Sequence, residues 1–145
     1  MWLLIAEFVF VLCCFIYASY SDLRTREVPN NLWVLMLPPG LVAFYFAFSA
    51  IAILNVLIIS ALSMSIFYLG LMGGADAKAI MILALFFPHA VNGYPFVFLI
   101  VLLSMPFMLL LYGRDLLNLK EKKPRPYLPA MTAAIPCAFA LTLLL

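Results

Sequence analysis

The stretch Gly73-Gly74-Ala75-Asp76-Ala77-Lys78 interrupts the apolar middle of the chain. Two glycines and an alanine lead directly into a carboxylate, and an ammonium group follows two positions later. An acid placed where a membrane helix begins is costly unless it is hydrated, paired or used in chemistry. The stretch therefore predicts a boundary between two helices and marks Asp76 as a candidate functional residue.

The composition around this stretch is that of a membrane protein. Of the 145 residues, 68% are hydrophobic and only 10% are charged. Soluble domains average roughly 45–50% apolar and about 25% charged residues. We therefore expect an all-α membrane protein that forms a single domain over residues 1–145, with no separate soluble module.

Six apolar runs are long enough to be membrane helices, since a spanning helix needs about 20 largely apolar residues. Asn30 or Asn31 is expected to cap the second helix, and Pro38-Pro39-Gly40 to kink or interrupt it. Gly73-Gly74 is expected to end the third helix. The predicted spans are residues 2–20, 32–48, 51–72, 76–92, 94–112 and 128–145.

The basic residues are segregated along the chain. All eight fall in the segments that follow the first, third and fifth apolar runs. The positive-inside rule then places these segments in the cytoplasm and both termini on the extracytoplasmic side, which agrees with a count of six spans. The eight residues are Arg24, Arg26, Lys78, Arg114, Lys120, Lys122, Lys123 and Arg125.

This topology places Asp22 and Asp76 at the same membrane face and at a similar depth. Two neighbouring carboxyl groups share a proton, so that one serves as acid and the other as base toward a water molecule and an amide carbonyl. An alternative interpretation stays open. Asp22 would then be a solvated acid paired with Arg24 or Arg26, and Asp76 would cap its helix and pair with Lys78.

Other kinds of site have little support in the sequence. Cys13, Cys14 and Cys137 form no CxxC pair and are expected to be small buried hydrophobic residues, and His89 is the single histidine. We therefore expect no metal and no cofactor. The basic segment 120–125 is best interpreted as a topology determinant attracted to anionic lipid, rather than as a nucleic-acid site.

Two motifs resemble those of the type IV prepilin peptidases, membrane aspartic proteases of the GxGD group that include the archaeal preflagellin peptidases. The first, Asp22-Leu23-Arg24-Thr25-Arg26-Glu27-Val28-Pro29-Asn30, looks like the family's aspartate followed by basic residues and a hydrophobic-Pro-Asn sequence. The second is the 73–78 stretch, which looks like GxGDxK. Residues 126–130 are similar to the proline-containing approach to the family's last helix, so the resemblance covers essentially the whole chain.

The resemblance implies that Asp22 and Asp76 are the catalytic aspartates. It implies a substrate as well: the precursor of a pilin-like or archaellin-like subunit, cut at the cytoplasmic face just before its apolar helix. The partners would be precursor leader peptides and membrane lipids, in a prokaryotic plasma membrane. Motif residues that would bind substrate or support the pair are Gly73, Gly74, Ala75, Lys78, Arg24, Arg26, Pro29 and Asn30.

The sequence departs from the family pattern at two points. Ala75 replaces the second glycine of GxGD, and its methyl group is expected to restrict positive φ and the approach of a substrate backbone. The larger bacterial relatives carry a cytoplasmic insert with paired cysteines and methylate the new N-terminus. The segment after the first apolar run is short here and has no cysteine, so no methyltransferase activity is expected.

Three other functions remain open at this point. A small proton or ion carrier could use Asp76 and Lys78, although it would need polar residues at mid-bilayer that the first and fourth runs almost lack. A non-catalytic pilus-assembly protein is the second. The third is a protease of the signal-peptide-peptidase and presenilin group, which shares a Tyr-Asp pattern. Here Tyr20 lies two residues before Asp22, and the DxRxRxxPN continuation favours the prepilin group.

Overall fold

The computed structural model describes residues 2–70, 72–88, 90–91, 94–117 and 127–144, with side chains over 5–70, 72–88, 96–111 and 127–141. Within them the chain forms helices and one hairpin of two two-residue strands, joined by short irregular segments. The helices are α1 (Trp2–Thr25), α2 (Asn30–Phe46), α3 (Ala50–Tyr68), α4 (Gly74–Phe86), α5 (Phe96–Leu117) and α6 (Leu128–Leu144). The antiparallel strands β1 (Ala90–Val91) and β2 (Tyr94–Pro95) lie between α4 and α5.

Helix α4 is the central element of the fold. It packs against α2, α3, α5 and α6, and α1 lies against α6 and α2. The core between these helices is apolar, whereas α3 contributes little to it. The largest fully buried apolar side chains of this core are those of Phe15, Met36, Leu83, Ile100, Leu128, Met131 and Ile135.

The outer surface of the helices is also strongly apolar, as expected for a protein in lipid. Among the described residues, α1 over Ile5–Thr25 and α3 over Ala50–Tyr68 are long and apolar enough to cross a membrane, and Phe96–Leu111 and Leu128–Leu141 are shorter apolar helices. Cys13 and Cys137 are exposed on this surface and Cys14 is partly buried. The prediction of three buried cysteines is therefore wrong, because two of them lie on helix faces that point away from the core.

Helix α1 continues past its predicted end at residue 20 and carries Asp22 within its last turn. It ends at Thr25, and the next residue, Arg26, has a left-handed φ of 59°. The Arg26 N–H donates to the Asp22 carbonyl over 3.0 Å, which is the bond of an αL helix stop. The hydroxyls of Ser21 and Thr25 donate to the Glu27 carbonyl over 2.8 and 2.9 Å, so the chain folds back against the helix end.

Helix α2 begins directly after Pro29, which is its N-cap residue. The predicted capping by Asn30 or Asn31 is wrong, since both residues lie inside the helix and no side chain caps it. Of the kink or interruption predicted at Pro38-Pro39-Gly40, the interruption is wrong: the helix is continuous there, and both proline side chains are on its exposed side. Gly40 is buried, and a Cβ there would lie 3.2 Å from the Phe86 ring, so α2 packs closely against α4 at this point.

The boundary between α3 and α4 differs from the sequence prediction. Helix α3 ends at Tyr68, and Gly70 provides the stop, with a φ of 71° and its N–H donating to the Phe67 carbonyl over 2.9 Å. Gly73 instead has extended backbone, with φ −70° and ψ 152°, and is the N-cap of α4. Gly73-Gly74 therefore begin α4 rather than end α3, because the left-handed residue that α3 needs comes earlier.

Helix α4 is shorter than its predicted span of 76–92, since it ends at Phe86. Asn55 on α3 donates from Nδ2 to the Pro88 carbonyl over 3.0 Å and so fixes the chain just after α4. Helix α5 runs through Pro106 and ends beyond the predicted 112, whereas α6 begins at the predicted Leu128. The predicted basic segment 120–125 lies outside the described residues.

Candidate active site

The structure brings the two predicted aspartates together. Asp22 lies on the last turn of α1 and is 9% exposed, and Asp76 lies on the first turn of α4 and is 8% exposed. The carboxyl groups are close enough for the charge of Asp22 to act on Asp76. Burying two acids side by side costs free energy, so this arrangement is typical of a functional site.

The first turn of α4 positions the Asp76 carboxyl group. Asp76 is the third residue of the helix and accepts a hydrogen bond from the backbone N–H of the N-cap residue, Gly73. This is the return bond of a capping box. A Cβ added to Gly73 would lie 3.0 Å from Oδ2 of Asp76, whereas one added to Gly74 would lie 3.4 Å from the Phe67 ring. Gly73 is therefore the glycine that leaves room for the carboxylate.

Ala75 occupies an ordinary helical position. It is the second residue of α4 and is partly buried. Among the described residues, positive φ angles occur only at Arg26 and Gly70. The restriction of positive φ expected from Ala75 therefore has no consequence, because the first turn of α4 is right-handed at this position.

The two arginines of the first motif have different surroundings. The charge of Arg26 acts on Asp22, so this arginine lies beside the carboxyl pair. Arg24 is exposed and donates to the Tyr20 hydroxyl over 3.3 Å. Of the two partners considered for Asp22, the structure places Arg26 next to it.

Lys78 connects the second motif to the first. Its Nζ donates to Oδ1 of Asn30 over 2.7 Å, which joins the start of α4 to the start of α2. Pro29, as the N-cap of α2, fixes the point at which Asn30 enters the helix. The alternative interpretation paired Lys78 with Asp76. In the structure the Lys78 ammonium group instead donates to the side-chain amide of Asn30.

A hydroxyl contact sets the register between α1 and α6. Oγ of Ser19 and Oγ1 of Thr132 are 2.6 Å apart, and Thr132 is also 3.2 Å from the Phe15 carbonyl and 2.9 Å from that of Leu128. Asp22 lies about one turn beyond Ser19, and the start of α6 lies about one turn before Thr132. The start of α6 is therefore level with Asp22.

Tyr127, just before α6, is a site residue to which sequence analysis gave no role. Its backbone carbonyl accepts from the N–H groups of Ala130 and Met131, and its hydroxyl contacts that of Ser104 on α5. Burial raises the pKa of Tyr127, the Ser104 hydrogen bond lowers it, and the nearby charge of Asp76 raises it. The residues around Tyr127 were noted only as a proline-containing approach to a helix, which says nothing about a hydroxyl group.

The chemistry available here is that of two carboxyl groups. Close carboxyl groups do not both ionise readily, so one proton is shared between them, and the pair can act as acid and base at once. No group of three or more His, Cys, Asp or Glu side chains in the described part of the chain is placed to hold a metal ion.

Comparison with known proteins identifies the family. The model of the type IV leader peptidase family matches residues 9–113, a range that contains both aspartates and ends before α6. Searches of curated proteins and of solved structures gave no match. The family match covers most of the chain and includes the segment from the buried carboxyl of α1 to that of α4. The chain therefore belongs to the type IV leader peptidase family.

Proposed function

We propose that the chain is a membrane aspartic endopeptidase that removes the leader peptide of type IV pilin-like or archaellin-like precursors. One observation carries the proposal: Asp22 and Asp76, two buried carboxyl groups that both fall within the family match, lie together where the last turn of α1 meets the first turn of α4. A leader peptidase needs a group that activates water and a group that protonates the departing amine. The pair supplies both.

The proposed reaction uses only water and the pair. The ionised carboxyl takes a proton from a water molecule, whose oxygen bonds to the carbonyl carbon of the scissile amide, while the protonated carboxyl donates to the carbonyl oxygen. The tetrahedral intermediate then collapses: one of its hydroxyls returns a proton to the pair as the C=O bond re-forms, the C–N bond breaks, and the amine leaves with the proton that the pair took from water. The protonation states belong to the pair, so neither aspartate is assigned as the acid.

The proposed topology has six spans, both termini on the extracytoplasmic side, and the pair at the cytoplasmic face of a single domain over 1–145. Arg24, Arg26 and Lys78 are at the same helix ends as the aspartates, which supports this orientation by the positive-inside rule. A precursor with its leader in the cytoplasm and its apolar helix in the bilayer would present the scissile bond at this depth. We propose a prokaryotic plasma membrane location and no methyltransferase activity.

Cleavage of candidate pilin and archaellin precursors by the purified chain in liposomes tests this function. We expect the wild type to cut just before the apolar helix, as read by N-terminal sequencing of the product. Asp22→Asn and Asp76→Asn should each reduce the rate by at least about a hundredfold, since each removes an acid–base group.

The matched control is Glu27→Gln, which neutralises an exposed acid near the end of α1. It should cleave at the wild-type rate. Cleavage that survives in either aspartate variant would disprove the pair, and proton flux through the liposomes without any proteolysis would favour a carrier.

A further inference from the structure

The connection between α1 and α2 holds a left-handed residue that is not a glycine. Arg26 has a φ of 59°, and its N–H donates to the Asp22 carbonyl over 3.0 Å. A residue with a Cβ is disfavoured in this conformation, which persists only where the surrounding structure holds it. The turn at Arg26 therefore depends on the contacts around it.

Two hydroxyl groups of α1 supply such contacts. Oγ of Ser21 and Oγ1 of Thr25 both donate to the Glu27 carbonyl, over 2.8 and 2.9 Å. Thr25 is also 2.9 Å from the Ser21 carbonyl, one turn back in its own helix, so its single proton is shared between two acceptors. The last turn of α1, which carries Asp22, is thereby tied to the residue that follows Arg26.

The same connection is tied to α4 at its other end. Val28 packs half-buried against the core, and Pro29 is the N-cap of α2. Asn30 then accepts a hydrogen bond over 2.7 Å from Nζ of Lys78, which lies two residues beyond Asp76 in α4. Hydrogen bonds at the two ends of this connection thus join the last turn of α1 to the start of α4.

The packing of the helices makes this join important for the aspartates. Helix α1 lies against α6 and α2, whereas α4 packs against α2, α3, α5 and α6. The distance between Asp22 and Asp76 is therefore set largely through other elements, and the start of α2 reaches both. An acid–base pair depends on that distance, because a small misplacement of a catalytic group is costly in rate.

We propose that residues 27–30 form a strap that holds Asp22 and Asp76 at their working separation. Ser21 and Thr25 are its positioning residues: their hydroxyls fasten the strap to α1, and the lysine fastens it to α4. The two hydroxyls act through the strap and take no part in the proton transfers. This assignment rests on the proposed peptidase function.

Removing either hydroxyl should slow cleavage of a precursor without weakening its binding. Ser21→Ala and Thr25→Val should each lower kcat about fivefold, the equivalent of one hydrogen bond, and leave KM within about twofold. Thr25→Ser keeps the hydroxyl and should have the wild-type kcat. Ser65→Ala is the matched control, because Ser65 is exposed on α3 and donates to the Ala61 carbonyl of its own helix over 2.8 Å.

A double-mutant cycle separates the strap from two unrelated effects on stability. Thr25 and Lys78 lie on different helices, and the losses from independent sites multiply. If both residues fasten one strap, Thr25→Val combined with Lys78→Met should be no slower than the slower of the two single variants. Losses that multiply would overturn the proposal, and so would a wild-type kcat in both Ser21→Ala and Thr25→Val.

Hydrogen exchange gives a readout that needs no activity. In the purified chain in nanodiscs, Ser21→Ala combined with Thr25→Val should speed exchange in the strap and also in α4, at the Ala77 amide that donates to the Gly73 carbonyl over 3.1 Å. Ser65→Ala should change neither. Wild-type exchange at Ala77 would overturn the proposal, because the hydroxyls would then have only a local role. If the wild type cleaves no precursor, the peptidase function fails, and exchange at Ala77 still decides whether the strap joins α1 to α4.

Discussion

Gly73 and Gly74 are neighbours in one motif, but different physical constraints act on them. Neither has a positive φ, so neither is required for backbone conformation. The difference is space: a Cβ at Gly73 would lie 3.0 Å from Oδ2 of Asp76, which is tighter than most real Cβ contacts and would force the carboxyl group to shift, whereas a Cβ at Gly74 would make an ordinary contact with Phe67. The functional requirement for glycine thus falls on Gly73.

Gly73→Ala should therefore displace the Asp76 carboxyl group and lower kcat by about tenfold or more, because a small misplacement of a catalytic group is costly. Gly74→Ala is the matched control and should keep the wild-type kcat. Precursor cleavage and a thermal melt of each variant check this. Equal kcat losses in the two variants would contradict the argument from space at Gly73.

Ala75 allows a second prediction at the same scale. Its position is right-handed helix, so Ala75→Gly restores the family's glycine without a conformational benefit. Glycine within a helix costs about 0.5–1 kcal/mol relative to alanine. We expect a slightly lower Tm and a kcat within about twofold of the wild type. A large gain in kcat would mean that the Ala75 methyl obstructs the substrate backbone.

At the scale of elements, the site is an assembly of helix ends. Asp22 lies in the last turn of α1, and Asn30 is the first residue of α2. Asp76 and Lys78 are the third and fifth residues of α4, and Tyr127 directly precedes α6. Helix ends have free backbone donors and acceptors, and so they can fix side chains as the Gly73 N–H fixes Asp76. The Lys78–Asn30 hydrogen bond of 2.7 Å links two of these ends directly.

Breaking this link should loosen the start of α4. Lys78→Met and Asn30→Leu should each lower kcat severalfold, and the double variant should lose no more than either single one, with a coupling of about 1 kcal/mol. Asn30→Asp keeps an acceptor for the ammonium group and is the conservative control, expected near the wild-type rate. Precursor cleavage measures all four. Additive losses would show that the two residues act independently.

Charge placement and motif spacing predicted that Asp22 and Asp76 lie close together, as the structure places them, but not where each helix ends. That both lie at one membrane face stays a prediction from the order of apolar and basic residues. The end of α3 was missed because the sequence does not show which glycine has left-handed backbone. Gly70 has a positive φ and ends α3, whereas Gly73 is extended and Gly74 is helical. The predicted capping by Asn30 was wrong because Asn30 lies inside α2 and its side chain accepts a hydrogen bond from Lys78, which is distant in sequence.

At the scale of the whole molecule, apolar side chains cover the outer surface of the bundle and several polar groups are buried inside it. The exposed side chains of α1, α2 and α3 are mostly large and hydrophobic, whereas Asp22, Asp76 and Ser104 are buried. A chain of this pattern keeps its polar groups inside the bundle and presents hydrocarbon to lipid. The aspartates lie at one end of the bundle, which in the proposed orientation is where lipid, water and precursor would meet.

The orientation can be tested by cysteine labelling. In a chain with Cys13, Cys14 and Cys137 changed to Ala, single cysteines replace Glu27 after α1 and Phe48 after α2, both exposed. Since the positive-inside rule puts the arginine-bearing end of α1 in the cytoplasm, a membrane-impermeant maleimide should label Phe48→Cys in intact cells and Glu27→Cys only after permeabilisation. Labelling of Glu27→Cys in intact cells would reverse the orientation and place the aspartate pair on the outer side, away from a cytoplasmic leader. Labelling of both positions from one side would instead contradict α2 as a span.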